Sequence, residues 1–307
     1  MKTVLPLEEL AHRAGLGNAQ IHVWALNTSK HRDNKRYIAM RQDRTAPRGF
    51  RGHGDSDDGR WLYPASMIKL PLAVAAGQAI KEGRLAWSTP AGVEEANMTA
   101  NDAASPLVPG YRTRVDELVT LMLQRSDNVA TNVLYDLVGR ERATADLHAL
   151  GFCATHFRRK LSGSEPLIVD RQATGRNSFP AREAAALLTA LAAGAVPEAR
   201  VLRSILSGSV WNEKLSRGLE PGDVFAHKTG DTDDVAHDGG ILRLAGGGAW
   251  TIVVYTDRPS GDATDRSFAA FMQALRPLLV EASQAFEGAH TASANGAVQL
   301  AEDGVTS

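Results

Sequence analysis

A chain of 307 residues with a formal net charge of −1 has no basic surplus, which argues against a nucleic-acid partner. Hydrophobic residues make up 43% and charged residues 22% of the chain, as is usual for a globular protein of one or two domains. No apolar run approaches the length that a membrane-spanning helix needs, so we expect no membrane span.

The first nine residues lack the apolar core of a secretory signal peptide. We therefore expect a cytoplasmic protein, or a periplasmic or secreted one if a leader has been removed. The single cysteine, Cys153, cannot form an internal disulfide, and we interpret it as a small buried apolar residue rather than a nucleophile.

The first predicted element is a strand over residues 20–26, where the pattern alternates, with residues 36–40 as a candidate hairpin partner. Residues 42–60 are rich in Gly, Asp and Arg and predict a long exposed loop. From Ser66 to about Ser207 the spacing of apolar residues is mainly helical.

Strand patterns return towards the C-terminus, at residues 224–228, 241–244 and 250–256. A final amphipathic helix is predicted over residues 265–286. The last residues, 288–307, are small and polar and are expected to form a disordered tail.

Because strands occur at both ends of the chain and helices in the middle, we predict an α/β (α+β) fold. An antiparallel sheet flanked by helices would be built from both chain ends, with an all-α domain inserted. The expected boundaries are 1–60 plus 208–287 for the α/β domain and 61–207 for the inserted domain. A cleft between two such domains is a common ligand site.

The first chemical motif is Ser66-Met67-Ile68-Lys69, at the start of a predicted helix. Residues three apart share a helix face, so the Lys69 amine can reach the Ser66 hydroxyl. A serine needs a base beside it, and a lysine can serve if burial or a nearby cation lowers its pKa. Unpaired backbone N–H groups at a helix start would suit an oxyanion hole.

Two further motifs lie later in the chain. Residues 126–128, Ser-Asp-Asn, supply a second hydroxyl and an amide, and residues 228–230, Lys-Thr-Gly, form a strand end with a cation, a hydroxyl and a small residue. Each motif alone is weak, since Ser-Asp-Asn is most often a helix cap or turn. The occurrence of all three motifs in this order is much harder to explain by chance than the occurrence of any one of them.

The three motifs together resemble those of the class A β-lactamases, a branch of the penicillin-recognising serine hydrolases. The resemblance covers about residues 18 to 285. It implies the fold predicted above, with an active site between the two domains. It also implies a small-molecule substrate, either a β-lactam or a peptide-like compound. We expect a monomer with no cofactor.

The resemblance implies a role for each motif residue. Ser66 would be the acylated nucleophile and Lys69 its proton acceptor. Ser126 would pass a proton to the leaving nitrogen. Asn128 would hydrogen-bond the amide side chain of the substrate and help to hold Lys69, and Lys228 would keep the local potential positive.

The strand end would bind the substrate. Thr229 would hydrogen-bond a substrate carboxylate, and Gly230 would let the substrate lie along the strand edge. The backbone N–H groups of Ser66 and Asp231 would form the oxyanion hole. The Asp231 side chain would repel an anionic substrate unless it points away, as strand alternation could allow.

The loop over residues 158–170 departs from the family pattern. Class A β-lactamases hold the deacylating water with a glutamate and an asparagine four residues later. Glu165-Pro166 resembles the start of that motif, but Val169 stands where the asparagine should be.

Counting without gaps from Gly151 places Leu161, rather than Glu165, at the glutamate position. Glu165 is a candidate deacylation base only if the loop absorbs about four extra residues, and otherwise it is an exposed carboxylate. Asp170 is a weaker substitute.

Two other groups of polar residues lie outside the three motifs. Lys214 or Arg217 could anchor a carboxylate, but we expect solvent exposure to be their main role. A His/Asp-rich segment matches no strong zinc spacing, so we predict no metal site there; its members are His227, Asp233, Asp234, His237 and Asp238. His227 would line the cleft beside Lys228 or pack under it.

Three hypotheses stay open. The first is a β-lactamase-like serine hydrolase that opens a β-lactam or a related amide or ester through an acyl-enzyme on Ser66. The second is an acyltransferase, or a relative similar to a DD-peptidase or esterase, whose acyl-enzyme reacts poorly with water. The third is a non-catalytic β-lactam-binding module.

Overall fold

The computed structural model describes residues 6–26, 54–56, 59–164 and 166–302, with the backbone alone for 54–56 and 286–302. The candidate hairpin partner at 36–40 and the candidate base Glu165 lie outside these residues. In chain order the strands and α-helices are α1 (Leu7–Arg13), β1 (Gln20–Ala25), β2 (Gly54–Ser56), α2 (Lys69–Lys81), β3 (Pro90–Gly92), β4 (Arg112–Arg114), α3 (Val115–Gln124), α4 (Asn128–Val138), α5 (Arg140–Ala149), α6 (Ala181–Ala192), α7 (Ala199–Leu206), β5 (Val224–Asp231), β6 (Ala236–Arg243), β7 (Ala249–Thr256) and α8 (Asp262–Glu302). Short 3₁₀ turns lie at Ala65–Ile68, Glu95–Asn97 and Leu215–Gly218.

Five strands form one antiparallel sheet in the spatial order β2-β1-β7-β6-β5. β1, from the start of the chain, pairs with β7, from its end, so that Gln20 lies opposite Tyr255. β5 pairs with β6 along its whole length and is an edge strand of the sheet as described. The sheet is therefore built from both ends of the chain.

The strand β7 shows how the sheet separates two hydrophobic cores. Its sequence is rich in β-branched and aromatic residues, which favour strands. Because alternate side chains point to opposite faces, Val253 and Tyr255 join the core shared with the inserted helices. Ile252 and Val254 join the core beneath α1 and α8.

The helix α2 lies inside the block of inserted helices. Ten of its 13 residues are buried, so it is apolar almost all round, as is typical of a helix enclosed on every side. Pro71 falls in its first turn, where a missing N–H costs no helical hydrogen bond. Because the helix starts at Lys69, this enclosure buries the amine completely.

The predicted fold class is confirmed: an antiparallel sheet is flanked by helices, with further helices inserted between its strands. The strand predicted at 224–228 is confirmed and runs on to Asp231. In the part of the chain that the structure describes, no helix combines the length and apolarity needed to cross a membrane.

Three predictions are wrong. Residues 54–56, within the predicted loop, pair with β1 as an edge strand. The backbone of residues 288–302 continues α8 where a disordered tail was expected, and alanine, the best helix former, recurs through this stretch. Cys153 is exposed rather than buried, because it lies in the turn after α5.

Candidate active site

The candidate nucleophile, Ser66, lies in the 3₁₀ turn that leads into α2. The residue before it, Ala65, has φ +46°, in the left-handed region that non-glycine residues rarely adopt. Such strain persists only where the surrounding structure enforces it, and it is frequent at functional sites. Lys69 Nζ lies 2.9 Å from Ser66 Oγ, so the predicted contact across one helical turn is present.

The other neighbours of the Lys69 amine include two oxygens that can only accept. Nζ lies 2.5 Å from the carbonyl oxygen of Ser126 and 2.7 Å from Asn128 Oδ1. Neither oxygen can donate, so these contacts use two N–H groups. An ammonium would donate its third N–H to Ser66 Oγ, whereas a neutral amine would turn its lone pair to the proton of Ser66 Oγ.

Electrostatics favour that neutral form. Complete burial, and secondly the nearby charge of Lys228, hold the pKa of Lys69 well below its usual value. Burial also lowers the pKa of Lys228, to about 8, although Asp231 opposes the change. Lys228 is therefore mainly a cation at neutral pH while Lys69 is available as a base.

The hydroxyl of Ser126 lies between the two amines. Its Oγ is 3.1 Å from Lys69 Nζ and 2.9 Å from Lys228 Nζ. Ser126 has φ +58°, and the next residue, Asp127, caps α4 by accepting a hydrogen bond from the N–H of Ala130 at 2.8 Å. The motif thus also acts as the helix cap that its sequence allows.

A loop that the sequence interpretation overlooked holds Asn128. The Asn128 side chain donates to the carbonyl oxygen of Ala100 at 2.9 Å, and its backbone N–H donates to Asn101 Oδ1 at 2.6 Å. With Lys69 on Oδ1, the orientation of the Asn128 amide is determined. The sequence signal was weak: Thr-Ala-Asn-Asp at 99–102 looks like any polar turn.

The edge of β5 offers a backbone donor beside the nucleophile. The N–H of Thr232 donates to the carbonyl oxygen of Val235 at 2.9 Å, which sets the register at the turn into β6. In an antiparallel ladder the direction of N–H groups alternates, so the N–H groups of Thr229 and Asp231 point to the open edge. This direction suits the oxyanion-hole role predicted for Asp231.

Gly230 has a different role from the predicted one. A Cβ on Gly230 would lie 3.0 Å from the carbonyl oxygen of Pro64 and 3.1 Å from the backbone nitrogen of Met67. The glycine therefore lets the turn that carries Ser66 approach the strand closely. The prediction had assigned that space to the substrate.

The expectation of a solvated Lys214 is wrong. Its exposure is 6%, and its Nζ lies 2.8 Å from the Asp231 carboxylate and 3.5 Å from Asp265. Burial lowers the pKa of Lys214, but the two carboxylates outweigh burial and leave it raised. Arg217 is exposed, as expected.

His227 packs under the strand end rather than lining the cleft. Its Nδ1 lies 2.8 Å from Asp238 Oδ1, and its Nε2 lies 3.1 Å from Ser216 Oγ. Asp238 Oδ2 also accepts the N–H of Leu215 at 3.0 Å. These contacts fix the turn that carries Lys214.

His237 supports the nucleophile turn from below. It stacks on Tyr255, its Nδ1 accepts the N–H of Thr256 at 3.2 Å, and its Nε2 lies 2.8 Å from the carbonyl oxygen of Tyr63. Burial lowers its pKa to about 4, so Nε2 carries the hydrogen of a neutral ring and donates it to Tyr63. Within the described ranges, no group of three or more His, Cys, Asp or Glu could hold a metal ion.

Leu161 occupies the loop position beside this network. Asn132, one turn after Asn128 on α4, accepts the N–H of Leu161 at 2.8 Å and donates to its carbonyl oxygen at 3.0 Å. The Leu161 side chain is buried in the core of the inserted helices. Gly163 lies so close to Ala100 that a Cβ would overlap the Ala100 carbonyl, which seats the loop against the segment that holds Asn128.

Asp170 is not placed as a base. Arg140 binds both of its carboxylate oxygens, and the N–H of Lys160 donates to it at 2.7 Å. These contacts hold the pKa of Asp170 below its usual value against the opposing effect of burial. Val169, at the position of the family asparagine, is 84% exposed.

The structure thus brings five predicted side chains into one hydrogen-bonded network, namely Ser66, Lys69, Ser126, Asn128 and Lys228. The strand end at 229–231 lies against the nucleophile turn. This arrangement provides a candidate nucleophile, a buried amine with a lowered pKa, a hydroxyl between two amines, and an outward backbone donor.

Comparisons with known proteins agree with this arrangement. The profile of the β-lactamase enzyme family matches residues 54–275, which is more than two thirds of the chain. A search of curated proteins found no match.

Several solved structures share the fold. A β-lactamase from Sphaerobacter thermophilus DSM 20745 has a TM-score of 0.70 at 20% identity, over 88% of this chain and 95% of that one. A leucine-to-glutamate variant of PBP-A, described as an acyl-enzyme complex with penicillin G, has a TM-score of 0.67 at 21% identity, over 91% and 99%. An ancestral class A β-lactamase has a TM-score of 0.68 at 22% identity, over 89% and 98%. The chain therefore belongs to the β-lactamase enzyme family and has the class A β-lactamase fold.

Proposed function

We propose that this protein is a serine acyl-transfer enzyme that forms an acyl-enzyme on Ser66 with a β-lactam or a related amide or ester, and that water releases the acyl group slowly. The observation that carries this proposal is the surroundings of Lys69. Complete burial and the nearby charge of Lys228 favour the neutral amine, in which two acceptors take the N–H groups and the lone pair faces the hydroxyl of Ser66, 2.9 Å away.

Acylation follows from these contacts. Lys69 takes the proton of Ser66 as Oγ bonds to the substrate carbonyl carbon, and the oxyanion accepts the N–H groups of Ser66 and Asp231. The carbon–nitrogen bond then breaks, and the leaving nitrogen takes the proton of Ser126 Oγ. Lys69, 3.1 Å from that oxygen, returns a proton to it, so the amine ends neutral.

Slow hydrolysis is inferred from the described residues of the loop, which do not include Glu165. Among the described residues of 158–178, Asp170 is the one carboxylate, and Arg140 holds it in an ion pair. Leu161, the residue seated beside Asn132, has no group that could take a proton from water. Loss of a general base costs roughly 10²–10⁴ in rate. The described PBP-A variant, a leucine-to-glutamate change captured as a penicillin G acyl-enzyme, has the same fold and supports acylation chemistry here.

A second candidate is a β-lactamase with Glu165 as its base, favoured by the Glu-Pro pair in the same loop. The two candidates share the acylation step and differ in the fate of the acyl-enzyme. In the second, Glu165→Gln leaves acylation intact and traps the acyl-enzyme. In the first candidate, Glu165→Gln alters neither acylation nor deacylation.

The test follows colour and intact mass together after addition of a chromogenic β-lactam. We expect a single lasting adduct on the wild type and none on Ser66→Ala. Ser204→Ala, which changes an exposed serine of α7, is the matched control and should label like the wild type. Sustained turnover without an adduct would favour the second candidate. Absence of both colour and adduct would contradict acylation by β-lactams.

A further inference from the structure

The end of β5 lies beside a cation, Lys214, that is already paired with an anion of the same chain, Asp231. We propose that Asp231 fills the charge site formed by Lys214, so that the enzyme prefers substrates that place a carboxamide or another N–H donor beside Thr229 over substrates that place a carboxylate there. This inference rests on the proposed function, because it concerns the substrate of the same Ser66 site.

The Asp231 side chain lies where it can meet a substrate. Residues two apart in a strand share a face, so the side chains of Thr229 and Asp231 lie side by side. The outward N–H of Asp231 is one of the two proposed oxyanion donors. A substrate whose carbonyl binds that N–H therefore extends past the Asp231 side chain, which is 29% exposed.

Lys214 is built into the fold and is not a mobile surface cation. Its side chain is buried, and its neighbour Leu215 donates its backbone N–H to Asp238. His227 Nε2 contacts Ser216 Oγ at 3.1 Å, which fixes the turn from the other side. These contacts hold the backbone next to Lys214, and burial encloses its side chain beside Asp231 and Asp265.

The charges at this place are already balanced. Asp231 at 2.8 Å and Asp265 at 3.5 Å both neutralise Lys214. Lys228, the other buried cation, donates to Ser126 Oγ and to the carbonyl oxygen of Thr229. A substrate carboxylate that approached Lys214 would meet the carboxylate of Asp231, and like charges in contact disfavour each other.

A substrate with a hydrogen-bond donor at this position would be attracted to Asp231, whereas a carboxylate would be repelled. Lys214 Nζ lies 2.8 Å from each oxygen of the Asp231 carboxylate, yet Oδ1 is buried without a hydrogen-bond partner among the described residues, so the carboxylate keeps lone pairs for a further donor at the 29% exposed side chain. A carboxamide N–H directed at it would form a hydrogen bond to a charged acceptor, which is stronger than a neutral one. The end of β5 therefore favours substrates that present a hydrogen-bond donor to Asp231.

The experiment uses two thioester substrates that differ only at the end of the leaving thiol, which is a carboxylate in one and a carboxamide in the other. For the wild type, we expect kcat/KM for acylation to favour the carboxamide by about tenfold or more, the size of one charged hydrogen bond. In Asp231→Asn and Asp231→Ala, Lys214 loses the nearer of its two neutralising carboxylates and keeps Asp265 at 3.5 Å. The ratio should then move towards the carboxylate by about tenfold or more.

Asp234→Asn is the matched control, because it removes the same charge from an exposed position in the adjacent turn. Its ratio should equal that of the wild type, which would exclude an effect of net charge alone. The wild-type ratio is itself a test if the Asp231 variants do not fold.

Two results would overturn the inference in distinguishable ways. Acylation of Ser66 by both substrates, with the carboxylate preferred and no change of ratio in Asp231→Asn, would refute the role of Asp231 and leave the proposed function standing. Failure of both thioesters and of a β-lactam to label Ser66 would overturn the proposed function, and the inference with it.

Discussion

The Ser66 centre and the loop at 158–178 adjoin each other through α4, and they use polar groups in different ways. In the centre, Lys69 is completely buried and contacts four oxygens, each within 3.1 Å, from three residues. At the loop, the amide of Asn132 on α4 holds the backbone of Leu161, and the loop carboxylate Asp170 is held by Arg140. The difference teaches that forming and hydrolysing an acyl-enzyme are separable in this fold, because separate elements would supply the two bases.

The largest expected effect is on the centre. Lys69→Ala removes the proposed base and should slow acylation by about a hundredfold or more. Lys81→Ala, which removes an exposed lysine at the other end of α2, serves as the control. Stopped-flow measurement of adduct formation decides the matter, and a near-normal rate in Lys69→Ala would rule out this base.

The next largest effect is expected on deacylation, from a substitution that gives the loop a base as the Ser66 centre already has. Leu161→Glu places a carboxylate beside Asn132, and we expect deacylation to accelerate by roughly a hundredfold as water gains a base. Leu161→Gln has the same shape without the charge and should stay slow. The loss of the adduct is followed by mass spectrometry after excess β-lactam is removed. Equal rates in the two variants would show that Leu161 does not face the ester.

The third prediction concerns Asp170, the loop carboxylate that stabilises the fold through Arg140 and is not placed to act as a base. Asp170→Asn breaks a buried ion pair with Arg140 and should lower the free energy of unfolding by about 3 kcal/mol. Because the pKa of Asp170 is depressed in the folded protein, this stabilisation is present above the unfolded pKa of about 4 and is lost as pH falls through the folded value. Urea unfolding at several pH values tests this. The difference between wild type and variant should shrink in acid, and a constant difference would contradict the ion-pair explanation.

The smallest effect is on the pH profile of the centre. With the pKa of Lys228 lowered to about 8, acylation should decline above that pH as the cation is lost. Lys228→Arg keeps its charge, so its alkaline limb should move to higher pH even if its rate is lower. Acylation rates from pH 6 to 10 would show this, and coincident limbs would exclude Lys228 as the titrating group.

Short-range features of the site could be predicted from the sequence. The spacing of Ser66 and Lys69 specifies a contact across one turn, and the helix start and strand end follow from local patterns. The meeting of Ser126 with both amines joins residues 57 and 102 positions apart, and it was expected only from the family resemblance.

Features that depend on distant partners could not be predicted. Lys214 looked like a surface cation because Asp265, one of its two anions, lies in the last helix, and no periodicity links them. The role of Gly230 depends on how closely Pro64 and Met67 approach it, which is a matter of packing. For the loop, the structure shows Leu161 in contact with Asn132, whereas Glu165 lies outside the described residues, so the choice between the two positions stays a prediction.

The pairing of β1 with β7 has a consequence for synthesis of the chain. Gln20 lies opposite Tyr255, about 235 residues later. At 5–20 residues per second, β1 waits roughly 10–50 s on the ribosome before its partner exists. Ile21 and Val23, fully buried in the finished sheet, lack β7 throughout that interval, although their other neighbour, β2, is made early. The nascent chain therefore needs protection from aggregation before it has an active site to protect.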